Sequence, residues 1–346
     1  MKMHPLTEHH DCNGVDRHFM LIYKARQRGN AVKASFIGFL AVLGVCCPPL
    51  QANAQTVYVS TFDLESVLSI NSAGAVATFE GPGSGLNYPW GLAVDGSGNL
   101  YVANSGAGGT IEVFPPEGGT GSVFATSGLS FPLGLTFDSS GNLYVANAAS
   151  STIEEFSPNG SGTVFATAAA GLNGPSALAF DSSGNLYVAN EGNYTIEEFG
   201  PGGTGTVFAT SASGVSNPYG LAWFGGNLYV ANGGNNTIER FNALGQGSIF
   251  SSTNLLSFPD EIAFDSSGNL YVACNSVTVG DSRILKFNQD GVGSVFASGL
   301  DGAVGIAIEE IPEPSALVLL GLGLSVLAFS HRAALPYPRS RHRRRR

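Results

Sequence analysis

The pentapeptide Asn-Leu-Tyr-Val-Ala recurs at Asn99, Asn142, Asn185, Asn227 and Asn269, and a diverged copy, Val57-Tyr58-Val59-Ser60, precedes them. With the tyrosine as marker, the copies stand at Tyr58, Tyr101, Tyr144, Tyr187, Tyr229 and Tyr271. The spacing is 43 residues three times and then 42 twice. So regular a period constrains the fold more than any other feature of the chain. Each unit must be one supersecondary structure, and it must bury against its neighbours a face it cannot bury alone.

Each unit contains four short runs of β type, separated by turn residues. In the second full unit they are Gly134-Leu-Thr-Phe-Asp138, Asn142-Leu-Tyr-Val-Ala146, Thr152-Ile-Glu-Glu-Phe156 and Gly162-Thr-Val-Phe-Ala166. The first two are joined by Asp138-Ser-Ser-Gly-Asn142, a tight hairpin loop whose glycine can take positive φ. The first two runs are apolar on both faces, whereas the third carries Glu154 and Glu155. That gradient predicts a blade whose inner strands are sandwiched and whose outer strands meet water. Four strands per unit at this period predict an all-β propeller.

The phase of the repeat predicts how the ring closes. The repeat region opens on a second-type strand at Tyr58 and ends on a first-type strand, Gly305-Ile-Ala-Ile-Glu309. First-type strands begin at Gly91, Gly134, Ala177, Gly220, Glu261 and Gly305. The last can therefore complete the blade that the first residues begin, which removes the free edges of an open array. The expectation is a six-bladed β-propeller over residues 55–310, closed by pairing its N- and C-terminal strands. An open β-solenoid would not need complementary ends.

Both ends of the chain read as addresses. Lys24, Arg26, Arg28 and Lys33 precede an apolar run from Ala34 to Cys47, followed by Ala52-Asn53-Ala54. That order predicts a secretory signal peptide within residues 1–54, cleaved after Ala54 to leave Gln55 first. The leader starts at Met1 or at Met20. A lipoprotein reading at Cys46 is weaker, because Val45 stands where a small residue is needed. Residues 311–346 hold Pro312-Glu313-Pro314, an apolar stretch from Ser315 to Ser330, and a tail ending in Arg343 to Arg346. Sixteen apolar residues are short for a membrane span, for which about 20 are usual. The arginines would remain cytoplasmic.

That C-terminal order closely resembles the PEP-CTERM sorting signal of Gram-negative bacteria. The resemblance implies an exosortase-type sorting protease as partner, transient residence of the C-terminal helix in the inner membrane, and release to the cell surface or matrix. It also implies a link to extracellular polysaccharide. The string from Pro132 to Asn147, followed by Thr152-Ile-Glu-Glu-Phe156, resembles NHL-repeat propellers. It is similar, more loosely, to gluconolactonase-like and streptogramin-lyase-like propellers. This superfold hosts binders and enzymes alike.

Charge and histidine content narrow the chemistry. Residues 55–310 hold only three basic side chains, Arg240, Arg283 and Lys286, against 22 Asp and Glu, a formal charge of −19. Cations that would displace counterions from phosphate are nearly absent, so no nucleic-acid partner is expected. The histidines are His4, His9, His10, His18, His331 and His342, all outside that span. Ser-His-Asp and Cys-His centres, histidine metal sites and histidine bases are therefore missing from it. Cys274 is the one cysteine of that span, so no disulfide forms within it.

Oxygen ligands for Ca2+ or another divalent cation remain open, and the gluconolactonase-like resemblance implies such a site in the channel. The recurring candidates are Asp95, Asp138, Asp181 and Asp265 with Asn104, Asn147, Asn190 and Asn232. Their recurrence in nearly every unit suits a structural role better than ligation, the aspartates capping the hairpin loops, and no cofactor is expected.

Positions that vary between units are free to serve a ligand. Just before the first strand stand Trp90, Leu133, Ser176, Tyr219, Asp260 and Val304, with Tyr88, Glu191 and Tyr194 near by. The last full unit lengthens its second loop between Cys274 and Arg283, where Asp281 lies. Tyr88, Trp90, Glu191, Tyr194, Tyr219, Asp260 and Asp281 are thus the candidate ligand-binding residues. Aromatic planes beside carboxylates suit a sugar or a peptide; Trp90 and Tyr219 could equally plug the channel mouth. The expected function is an exported, non-catalytic propeller that binds a glycan or protein. The alternatives are a metal-dependent hydrolase or lactonase and a spacer without a ligand.

Overall fold

A computed structural model describes residues 54–276 and 278–311. The leader up to Asn53 and the segment from Pro312 onward, including the sorting signal and its apolar stretch, lie outside the described residues. Among the described residues no helix is long and apolar enough to cross a membrane.

The chain forms a six-bladed propeller of four-stranded antiparallel sheets. Strands β4–β7 (89–125), β8–β11 (132–166), β12–β15 (175–209), β16–β19 (218–251) and β20–β23 (259–300) make the first to fifth blades, each in chain order. The closing blade takes β24 (Ala303–Ile311) from one end and β1 (Ala54–Thr61), β2 (Ser66–Asn71) and β3 (Val76–Glu80) from the other. β1 and β24 pair from Ala54↔Ile311 to Val59↔Ile306, and again at Thr61↔Ala303. The ring closes as the phase of the repeat requires.

The repeated tyrosine explains why one blade does not stand alone. In the second blade, Tyr144 meets Phe165 of its own fourth strand at 5.2 Å and Phe180 of the next blade at 5.0 Å, both edge-on. Tyr101 repeats this with Phe124 and Phe137, and Tyr229 with Phe250 and Phe264. Such edge-to-face pairs add about 0.5–1.5 kcal/mol each beyond the buried area. The core is therefore a belt running between blades.

Burial falls from the inside outward. In the second blade β9 (Leu143–Asn147) is buried throughout, while β11 (Gly162–Ala166) is mostly exposed. The third strand departs from the sequence expectation. Glu112, Glu154, Glu197 and Glu239 are buried, not wet. The loop leading into the same blade's first strand lies over each carboxyl: a Cβ on Gly128, at φ +74°, would come within 3.1 Å of the Glu154 carboxyl carbon. Burial raises the pKa of all four. The outward half of the pattern holds, since Glu155 and Glu198 stay partly exposed.

Candidate functional site

Two sets of loops share the upper face: those leading into each first strand and those joining each second strand to its third. One hydrogen bond, repeated six times, ties them. The N–H donors of Ser105, Ala148, Glu191, Gly233, Asn275 and Phe62 reach the carbonyls of Tyr88, Phe131, Gly174, Asn217, Phe258 and Gly302 at 3.0–3.2 Å. In four blades a buried asparagine adds a bracket. Asn147 Oδ1 accepts the Ser130 N–H at 3.0 Å, and its Nδ2 donates to the Gly128 carbonyl at 2.8 Å and to Thr152 Oγ1 at 3.3 Å. Asn104, Asn190 and Asn232 make the same contacts in their blades. Cys274 replaces this asparagine in the fifth blade; it is a free thiol that burial pushes up to about 11. Thr61 replaces it in the closing blade, donating to the Ser66 carbonyl at 3.0 Å, while Ser60 beside it accepts from Gly305 N–H at 2.9 Å and donates to the Trp90 carbonyl.

These ties fix an unusual backbone position. The residue before each first strand, or its second residue back from the variable site, takes positive φ: Tyr88 (51°), Phe131 (56°), Gly174 (61°), Asn217 (49°), Phe258 (44°) and Gly302 (59°). Glycine and asparagine tolerate that region, but a bulky side chain there is an outlier, and in all but the closing blade a proline follows and restricts the residue further. Tyr88, Phe131 and Phe258 hold aromatic rings there nonetheless, at 45%, 45% and 38% exposure. Tyr194, at φ 59° before a third strand, is a fourth such ring, 47% exposed. Each strained residue costs of order 1–3 kcal/mol.

The structure separates four of the candidates into two groups and leaves three apart. Tyr88 and Trp90 cluster on Phe62, with ring centroids 4.9 and 5.2 Å away. Tyr219 donates its hydroxyl to Glu191 Oε1 at 2.9 Å and packs on Phe258 at 5.0 Å; burial, then the Glu191 contact, pushes its phenol up to about 12. Tyr194 is exposed on the same face. Asp281 is exposed in the lengthened loop, its N–H on the Thr278 carbonyl at 3.1 Å.

Asp260 is not offered to solvent at all. It is 1% exposed, its Oδ2 has no hydrogen-bond partner, and burial with the fields of Glu261 and Glu191 raises its pKa well above the carboxylate range.

Sequence reasoning missed Phe62, Phe131, Phe258 and Glu261. The aromatic residue before Pro132 and Pro259 was the legible signal for Phe131 and Phe258. Glu261 stands where other inner strands carry glycine or alanine. It reaches the central channel, a cavity of about 350 Å³ walled by all six inner strands. Burial pushes its carboxyl up to about 8, although part of its surface still faces the channel, and the Ile262 and Leu221 backbone bonds offset only part of this.

The recurring aspartates are hairpin braces. Asp138 Oδ1 accepts the N–H groups of Ser140 and Asn142, both at 2.8 Å, and its Oδ2 accepts Asn142 Nδ2 at 2.9 Å. Asp95 and Asp181 repeat all three contacts. Asp265 keeps the two to its asparagine and adds Lys286 at 3.5 Å. Among the described residues, no three His, Cys, Asp or Glu side chains gather as a metal ion would need.

A six-bladed propeller is the class of fold these features define, and two segments of the chain match known family models. Residues 86–111 match the NHL repeat, and residues 310–333 match the PEP-CTERM protein-sorting motif. The sorting motif implies recognition by an exosortase, export and C-terminal processing. No curated protein matches the chain in sequence. In fold it is similar to a chain of the nidogen/laminin complex, with a TM-score of 0.62 and 18% identity over 73% of this chain and 98% of that one. It is also similar to virginiamycin B lyase from Staphylococcus aureus, with a TM-score of 0.56 and 17% identity over 74% and 86% of the two chains. A catalytically inactive histidine-to-alanine form of that lyase, solved with quinupristin, gives 0.55 and 16% over 75% and 94%.

Proposed function

We propose that the protein is delivered to the cell surface or matrix of a Gram-negative bacterium, where the propeller acts as a non-catalytic module. Its upper face grips a glycan or a protein ligand. One observation carries the reading: aromatic rings stand exposed on that face at strained backbone positions that glycine or asparagine fills in other blades. Strain of this kind persists where something other than stability selects the residue. The nidogen chain, similar in fold, is one partner of a protein complex. The lyase is inactivated by loss of one histidine, and residues 55–310 contain none.

The test uses the full-length protein with matrix polysaccharide and matrix protein fractions. Capture that Trp90→Ala or Tyr219→Ala weakens at least about tenfold supports the reading; a tenfold change is 1.4 kcal/mol of binding free energy. Capture indifferent to both changes counts against it. Turnover of a lactone or lyase substrate after addition of Ca2+ or Zn2+ would replace it with the hydrolase alternative.

A further inference from the structure

We infer that the notch between the closing blade and the first two blades is a subsite for one face of a neutral pyranose ring; this rests on the ligand-binding reading above and names the chemistry of one part of that face. The notch is a cavity of about 590 Å³, within the range of small-molecule sites. Phe62 and Tyr88, tilted 44° to each other, line it together with Phe131. The floor is the Gly106-Ala107-Gly108-Gly109 turn, where backbone takes the place of side chains. A Cβ added to Gly108 would meet nothing within 4 Å, so the turn borders open space.

The lining chemistry selects the ligand. No charged side chain lines the notch; partly exposed Ser130 and the Tyr88 phenol supply hydroxyls there, whereas the Ser105 hydroxyl is buried and donates to the Tyr88 carbonyl at 2.8 Å. The surrounding span carries a formal charge of −19, which disfavours anionic ligands. A cationic ligand finds no carboxylate in the lining. Half-exposed aromatic faces next to hydroxyls and bare peptide groups suit a ring with one C–H face and a hydroxyl rim. The rim then remains hydrated where the notch opens to solvent, which a wholly apolar ligand could not exploit.

The strain gives the inference a test that a packing role fails. Tyr88 and Phe131 both sit at positive φ ahead of a proline. Glycine relieves such strain. If the rings are kept for a ligand, Phe131→Gly and Tyr88→Gly raise the melting temperature, by about 2–6 °C, while loosening the ligand. Glu65→Gly is the control, relieving positive φ (46°) at a residue that does not line the notch.

Calorimetric titration of the full-length protein with neutral gluco- and galacto-tetrasaccharides, and with an oligogalacturonate as the anionic counterpart, reads the result. The inference requires binding of a neutral tetrasaccharide, at least tenfold weaker binding of the oligogalacturonate, and at least tenfold loss in both notch variants. Glu65→Gly should melt higher with affinity unchanged. Unchanged affinity in the notch variants, equal binding of the anionic sugar, or a fall in melting temperature with Phe131→Gly overturns it. If no oligosaccharide binds but matrix capture still depends on Trp90 and Tyr219, the inference falls and the proposed function stands. If neither occurs, both fall.

Discussion

Replacing Asn147 by alanine tests what holds the upper face in place. The side chain is fully buried and makes three hydrogen bonds, accepting from Ser130 N–H and donating to the Gly128 carbonyl and Thr152 Oγ1. Removing it strands two backbone groups, the Ser130 N–H and the Gly128 carbonyl, next to the buried carboxyl of Glu154. A group left without a partner costs about 1–3 kcal/mol when buried, and less where water reaches it, as at exposed Gly128 and partly exposed Ser130. The threonine hydroxyl loses less, because Ser150 Oγ lies 2.8 Å away and remains as a partner. The expected destabilisation is therefore about 1–4 kcal/mol. Water entering the space vacated by the amide would move the value to the lower end.

Urea unfolding measures it, with the midpoint falling at constant slope. At about 2–4 °C per kcal/mol, the melting temperature drops by roughly 2–16 °C. Ser130 precedes Phe131, so sugar binding in the notch should weaken together with stability. A loss below about 1 kcal/mol would refute the bracket. It would mean that the repeated bond from Ala148 N–H to the Phe131 carbonyl, at 3.2 Å, holds the loop unaided.

Three further outcomes follow from the same structure. Glu261 has its pKa raised from an ordinary 4.5 to about 8, so the native state keeps a proton that the unfolded chain releases. Its contribution to stability is complete below about pH 4.5 and is lost as pH rises through 8, opposite to a salt-bridged carboxylate. Urea midpoints between pH 5 and 8 should fall more steeply in the wild type than in Glu261→Gln; equal slopes would contradict the assignment. Gly305→Ala places a Cβ 2.0 Å from the Trp90 carbonyl at the closing strand. It should cost several kcal/mol in urea unfolding, as overpacking and strain do, and a neutral effect would contradict closure by β24. Asp138→Ala should cost about 1 kcal/mol, the scale of a lost capping carboxylate, with the same loss in EDTA and in Ca2+; a loss confined to Ca2+ would show that the carboxylate holds metal.

The six units, their strand types and the closing partner were legible because a repeat writes its own register: Tyr58 to Tyr271 marks every second strand, and Gly305 marks the strand left over. The aspartate and asparagine braces were legible for the same reason, since a contact made in most blades recurs in the sequence. Glu154 was misread because outward alternation along a strand says nothing about a loop that folds back over it. Tyr88 and Tyr219 were found as variations within the repeat. Phe131 and Phe258 do not stand out in the sequence, because the repeat varies most after the proline, whereas exposure belongs to the residue before it.

Local pattern thus specified which residues form strands, in what order, and how the ring ends, because strand pairing within a blade and closure across it are set by alternation and period. Whether a variable side chain looks outward or inward was a matter of assembly. Asp260 and Tyr219 occupy the same repeat position, yet one is sealed beneath neighbouring blades and the other reaches across to Glu191. The left-handed backbone that lifts Phe131 out of the surface arises only when two loops from the same blade are tied together by the hydrogen bond between them. The pairing of Tyr219 with Glu191 depends on contact between neighbouring blades, which no single repeat encodes.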